Sequence, residues 1–332
     1  MKEKVLITSA TGKTGFATAA KLLEEGVPVR IYVRSKNAKA LQLESIGAEI
    51  ALGELDNYTQ LESALNGVKY VYYCHPFIPN LLSNVSVFIK AAKAAEIAGV
   101  VFMGQWLAEF EEQKSITTRD TRAAYNEFEQ SGLNVVYFVP GYFAENTFVV
   151  VLELAVQLGI MPSPFADGKN PIVSNEDLAA VLAKLLQHPE PYFGKRLRPT
   201  GPKSLSMTEM AAVISKITGR KVRVLNIPDW LFIKAAFSIG KEFGIDQFQI
   251  SQARLYNLLY RQNKFDVGGP TNVVKLVTGK EPEDFETIVK RYILGSRYGK
   301  PTISGWFAAM KKFMMMPLTP TPSRRELELL NQ

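Results

Sequence analysis

Cysteine and histidine are nearly absent from this sequence. Cys74 stands alone, so neither an intramolecular disulfide nor a cysteine metal cluster can form. His75 and His188 are the only histidines, so a multi-histidine metal site is not expected either, and the expected metal content is none. No apolar run reaches the ~18 residues of a membrane-crossing helix. No leader-like segment opens the chain: Met1-Lys2-Glu3-Lys4 runs straight into an apolar strand. The expectation is a cytoplasmic chain without a transmembrane segment.

Two further absences concern charge. No Asp or Glu lies between Val27 and Gln42. Clustered basic residues are also missing: 39 Lys and Arg against 32 Asp and Glu give +7, but they are spread along the chain. Direct nucleic-acid binding calls for a basic patch on one element. The doublets Lys311-Lys312 and Arg324-Arg325 are too short for that, so an anionic small molecule and a solvated surface account for the charge better.

What is present is organised around Val5-Leu6-Ile7-Thr8-Ser9-Ala10-Thr11-Gly12-Lys13-Thr14-Gly15. A strand-length apolar run passes through small residues into Phe16–Leu23, a helical segment with Gly26 just past its end. Strand, tight turn and helix form the first unit of a dinucleotide-binding fold. Small residues let the backbone approach a pyrophosphate, and the helix N-terminus offers N–H groups to it. Ser9, Thr11, Gly12, Lys13, Thr14 and Gly15 are therefore candidate cofactor contacts.

Strands and helices then alternate. Strands are expected at Val29–Val33, Ala48–Leu52, Lys69–Cys74, Val100–Met103 and Asn134–Val139. Helices are expected at Asn37–Ile46, Tyr58–Leu65, Leu81–Ala98 (ending at Gly99) and Arg119–Gln130. This rhythm predicts a doubly wound, mostly parallel α/β sheet of Rossmann type over 1–150. Past Pro140-Gly141 the rhythm changes. Helices at Ala144–Leu158, Asn175–Gln187 and Met207–Thr218, a loop at Met161–Phe165, and strands at Arg196–Pro199 and Lys221–Leu225 are expected. Residues 151–295 are read as a smaller, mainly helical substrate lobe laid against the sheet, and 296–332 as a tail with an apolar segment, Trp306–Met316. That segment suits a lid, a homodimer contact or a peripheral membrane contact.

Ser9-Ala10-Thr11-Gly12-Lys13-Thr14-Gly15 resembles the Gly-Ala-Thr-Gly-x-x-Gly turn of the NmrA-like group of atypical short-chain dehydrogenases/reductases, with Ser9 in place of the first glycine. Val139-Pro140-Gly141-Tyr142-Phe143-Ala144-Glu145-Asn146 resembles the group's Pro-Gly-x-Phe-x-Glu-Asn exit from strand six. Glu176-Asp177-Leu178-Ala179 and Thr200-Gly201-Pro202 resemble later landmarks, so the likeness covers about the first 295 residues. It implies a nicotinamide cofactor and places Asp56 beside the adenine and Pro140 and Tyr142 near the cofactor. Asp56 is equally suited to capping the Tyr58 helix.

Arg34 ends strand two, nineteen residues after Gly15, with Ser35, Lys36 and Lys39 beside it. A carboxylate here would hold the ribose of NAD, whereas arginine suits the 2′-phosphate of NADP. The expected cofactor is NADP(H), with Arg34, Ser35 and Lys39 among its contacts. Strand four leaves through Cys74-His75-Pro76 at the switch point, where a nicotinamide lies. His75 is a candidate acid, and Cys74 a neighbour that is either redox-reactive or simply buried. Strand five leaves through Gly104-Gln105-Trp106, and the next helix carries Tyr125, four residues before Glu129 rather than a lysine. His75, Gln105 and Tyr125 are the catalytic candidates, and the usual Tyr-x-x-x-Lys pair is missing from that helix. Arg122 stands nearest the place of the lysine that often precedes the helix in the group, where it can anchor but not relay a proton. The resemblance implies a reductase of a small apolar or aromatic carbonyl, enone or quinone-like substrate. An NADP(H)-sensing regulator without turnover, or a non-redox isomerase or cyclase, is the alternative.

Overall fold

The computed structural model describes residues 3–110, 115–243, 245–294 and 300–331. Six parallel strands and their crossover helices come first: β1 Val5–Thr8, α1 Lys13–Glu24, β2 Val29–Val33, α2 Ala38–Ser45, β3 Glu49–Leu52, α3 Tyr58–Leu65, β4 Tyr70–Tyr73, α4 Leu81–Ala94, β5 Gly99–Met103, α5 Ile116–Ser131 and β6 Val135–Phe138. Next come α6 Ala144–Leu158, β7 Ile160–Ser163, β8 Lys169–Asn170, α7 Asn175–Gln187, β9 Arg196–Leu197, β10 Leu205–Ser206, α8 Met207–Thr218 and β11 Arg223–Asn226. The remainder is helical: α9 Asp229–Phe243, α10 Gln247–Arg261, α11 Val273–Thr278, α12 Phe285–Leu294, α13 Ile303–Met315 and α14 Arg324–Leu329.

The main sheet runs β3-β2-β1-β4-β5-β6-β9, with every pair parallel. Strand order reverses between β1 and β4, which opens the crevice at their carboxyl ends. Both faces are covered, so the central strands are apolar without alternation. Side chains still alternate between faces. Val5, Ile7, Tyr72 and Val101 pack toward α1, α2 and α7. Leu6, Val71, Tyr73 and Phe102 pack toward α3, α4 and α5. Phe102 and Phe128 lie 4.8 Å apart on the latter face, and Tyr73 and Phe88 4.2 Å apart.

The fold is the expected Rossmann sheet with a smaller helical lobe. Several local expectations are corrected. The fourth helix stops at Ala94, not Ala98, because Glu96 turns into the left-handed region at φ 53°. Gly99 is the first residue of β5 rather than a helix stop, and an added Cβ there would lie 2.7 Å from the Phe193 ring. Met161–Phe165 is not a loop: Ile160–Ser163 pairs with Arg223–Asn226 as a small parallel sheet. The Arg196–Pro199 strand is only two residues long, and it extends the main sheet beside β6. The chain after residue 150 thus serves both lobes, since α7 also packs on α1. The expected boundary at 295 lies outside the described residues. The apolar part of the tail is a helix, α13, which packs on α6.

Candidate functional site

The glycine turn between β1 and α1 is built by close packing. A Cβ on Gly15 would lie 2.5 Å from the Ser9 carbonyl oxygen and 3.0 Å from the Ala10 Cα, so only glycine fits. Gly12 is nearly as tight, with its would-be Cβ 3.1 Å from the same oxygen. Ser9 takes the left-handed φ of 50° that glycine favours, and its hydroxyl turns away from the turn to donate to the Cys74 carbonyl at 2.7 Å. Thr8 Oγ1 accepts from the Cys74 N–H at 2.8 Å, and its hydroxyl lies 2.9 Å from the Cys74 carbonyl. The exits of β1 and β4 are therefore tied together at the switch point.

The N-terminus of α1 has Gly12 as its cap residue, with no side-chain cap and no acid in the first turn. The first N–H groups of a helix have no partner within it, the arrangement that binds a phosphate. Lys39 reaches from α2 to donate to the Thr11 carbonyl at 3.2 Å. Arg34 is exposed at the end of β2, and among the described residues it forms no ion pair. Lys36 instead pairs with Glu44 at 3.2 Å. Burial lowers the Lys13 ammonium, with Glu145 opposing and Lys39 reinforcing the shift. Burial raises the Glu145 carboxyl, whose Oε1 accepts from the Asn175 N–H and the Tyr292 hydroxyl, both at 3.0 Å. Among the described residues, its Oε2 and Asn175 Oδ1 are buried with no hydrogen-bond partner. Small residues, an uncapped helix end and the nearby cations Lys13 and Lys39 fit the phosphates of a dinucleotide.

Asp56 is exposed and does not cap the Tyr58 helix. That role belongs to Asn57, whose side chain accepts from the Gln60 N–H at 3.1 Å. The adjoining segment is held by Tyr32, whose hydroxyl donates to the Glu54 carbonyl at 2.8 Å.

At the exit of β4, His75 Nδ1 lies 2.7 Å from the Pro76 carbonyl and Nε2 3.0 Å from Asn84 Nδ2. The ring therefore donates from Nδ1 and accepts at Nε2 as a neutral imidazole. Burial pulls its pKa down to about 4, opposed by the Pro76 hydrogen bond. The environment of Cys74 pushes its thiol up to about 11, so little thiolate exists near neutrality.

At the exit of β5, Tyr125 is fully buried beneath Gly104-Gln105. Its hydroxyl accepts from the Gln105 N–H at 3.0 Å and lies 3.2 Å from the Gln105 carbonyl. The Gln105 side chain donates to Thr121 Oγ1 at 3.1 Å and accepts from the Tyr256 hydroxyl. Tyr256 belongs to α10, lies 3.0 Å from Thr117 Oγ1, and sets its ring edge-on to Phe77 at 5.9 Å. Arg122 is exposed and donates to the Ala108 carbonyl at 3.1 Å, an anchor away from this cluster. Tyr256 and Phe77 carried no motif; only the packing of α10 against the strand exits brings them there.

Pro140 accepts from the Trp106 N–H at 3.0 Å and so joins the exits of β5 and β6. Tyr142 turns into an aromatic core of the second lobe, edge-on to Phe165 and Tyr260 at 5.5 Å. Trp230, at the start of α9, is 54% exposed.

A doubly wound sheet with a glycine turn at its switch point and a helical lobe over the strand exits defines the class: a dinucleotide-binding α/β protein. The chain belongs to the NmrA-like family, whose match spans residues 1–288. It is 27% identical over 302 residues to an NAD(P)H azoreductase of Xenophilus azovorans, covering 87% of this chain and 97% of that one. Its fold resembles the NADPH-dependent quinone oxidoreductase of Escherichia coli complexed with NADPH, at a TM-score of 0.74, 20% identity and coverage of 87% and 99%. It also resembles NmrA, a negative transcriptional regulator, at a TM-score of 0.71, 16% identity and coverage of 90% and 100%.

Proposed function

We propose that this chain is an NADP(H)-dependent reductase of a small apolar or aromatic acceptor whose conjugation spreads the incoming charge, such as a quinone, an enone or an azo compound. The observation that carries the cofactor is the uncapped α1 N-terminus with Lys39 beside it, together with exposed Arg34 at the end of β2 and no carboxylate between Val27 and Gln42. The N–H groups of Lys13, Thr14 and Gly15 would hold the pyrophosphate, since that of Gly12 is donated to the Ser9 carbonyl, and the Arg34 guanidinium would hold the 2′-phosphate. Bound NADPH would supply a hydride.

The chain's own part in the reaction is to orient and enclose. Tyr125 holds the Gln105 backbone, while Thr121 and Tyr256 hold its amide. His75 is neutral and holds the β4 exit to Asn84, so no ready proton donor stands there near neutrality. A conjugated acceptor needs less acid assistance than a simple ketone, because the charge is delocalised before a proton arrives from water. The family and the azoreductase and quinone oxidoreductase relatives support this reading.

A second reading, an NADP(H) sensor without turnover, draws on the same saturated hydrogen bonds at Gln105 and His75, and a non-redox isomerase or cyclase would also use them. Following NADPH absorbance with a quinone, an azo dye, an activated enone and a simple ketone separates them. The reductase reading expects turnover with the first three and little with the ketone. Tight NADPH binding without oxidation in any mixture rejects it.

A further inference from the structure

We propose that α13 is a docking surface for an anionic lipid bilayer, on which the protein lies without crossing it. The helix begins beyond the family match, which ends at residue 288. Its inner face is already used: Ala309 and Phe313, with Met316 just past the helix end, cluster with Leu154, Leu158 and Ala235. Its outer face is apolar and open. Ile303 is 81% exposed, Phe307 64% and Met314 67%, and Leu318, in the turn after the helix, is 70% exposed. Ile303, Phe307, Lys311 and Met314 stand at helical spacing and share that face. Trp306, at its edge, is 37% exposed.

The charged residue on this face is basic: Lys311 is exposed among the apolar side chains. From Thr287 to Arg325 the sequence holds eight Lys and Arg and no Asp or Glu; Lys290, Arg291, Lys312 and Arg324 pair with carboxylates outside that stretch, and Lys300, Lys311 and Arg325 are exposed. An apolar helical face carrying large side chains and an exposed lysine suits the interface of an anionic membrane. Lysine stems lie along the acyl boundary while their ammonium groups stay among the headgroups. A second copy of the chain fits less well. A two-fold contact centred on this stripe brings Lys311 against its own equivalent, with no carboxylate in the segment to neutralise the pair. No described helix is long and apolar enough to span a bilayer, so the helix would rest in the interface plane.

The test is cosedimentation of the full chain with vesicles of phosphatidylcholine alone and of phosphatidylcholine with about one-third phosphatidylserine. Binding to the anionic vesicles, at least several-fold weaker on the neutral ones, is expected. Phe307→Ser with Met314→Ser should abolish it, and Lys311→Glu should weaken it about five-fold or more. These side chains point outward, so circular dichroism and Tm should match the parent and certify the fold. Three results overturn the proposal: no binding to either vesicle, equal binding to both, or a dimer in sedimentation velocity that Phe307→Ser dissolves.

Discussion

The Tyr256 hydroxyl donates to the side-chain oxygen of Gln105, joining helix α10 of the second lobe to the exit of β5 across 151 residues of sequence. The same hydroxyl lies 3.0 Å from Thr117 Oγ1, and Thr117 in turn faces Gln252 Oε1 at 3.2 Å. A buried polar chain therefore fixes how the lobe sits over the strand exits.

Tyr256→Phe removes the donor and leaves Gln105 Oε1 without it. Leaving a buried acceptor unsatisfied costs about 1–3 kcal/mol. We expect turnover with a quinone to fall about ten-fold while NADPH affinity is unchanged. Steady-state kinetics with calorimetric titration of NADPH checks this; equal losses in both would place Tyr256 in cofactor binding instead.

Arg34 is expected to select the phosphorylated cofactor. A charge-assisted contact of this kind contributes about 1.5–3 kcal/mol, roughly ten- to a hundred-fold in affinity. Arg34→Ala should weaken NADPH toward the low end of that range, because Lys39 stands nearby. Arg34→Asp should weaken it further and spare NADH. Titration of both cofactors at fixed salt decides, and a parent with equal affinity for the two would refute the assignment.

Gly15→Ala forces a Cβ to 2.5 Å from a backbone oxygen that no side-chain rotation can move. Overpacking of this kind costs about 1–3 kcal/mol. Tm should drop and NADPH affinity with it, since the turn and the α1 N-terminus must separate. Thermal denaturation with and without NADPH reads both effects.

His75 links stability to pH. It is neutral in the folded chain down to about pH 4, whereas its ordinary value is 6.5. The unfolded chain therefore binds the extra proton between these values, and stability falls as pH drops from about 6.5 to 4. Above that window the group contributes no slope. His75→Gln should flatten this part of a Tm-against-pH curve; an unchanged slope would show that other groups set it.

Cys74 should resist alkylation. With its thiol pushed up to about 11, iodoacetamide at neutral pH should label the native chain far more slowly than the unfolded one. Mass spectrometry of the two samples checks this, and rapid native labelling would restore a redox role.

Local chemistry made much of the fold legible in the sequence. Val29–Val33, Tyr58–Leu65, Ala144–Leu158, Asn175–Gln187 and Met207–Thr218 begin and end at the expected residues. Their caps lie within a few residues of the ends: Asn57, Ser174 and Ser206 each accept from a first-turn N–H, and Gly159 and Gly219 close α6 and α8 in the left-handed region. The glycine turn and the succession of strands and helices along the chain were readable for the same reason, because small residues and periodicity act over short spans. Tertiary structure decided what depends on partners distant in sequence. Ile160–Ser163 is a strand only because Arg223–Asn226 lies beside it. His75 is neutral because burial and Asn84 make it so. Tyr256 reaches Gln105 because α10 folds back over the sheet. The outer face of α13 is left open because its inner face is already spent on α6 and α9. Each of these outcomes rests on desolvation or on a long-range contact, and neither is written in the residues adjacent to it.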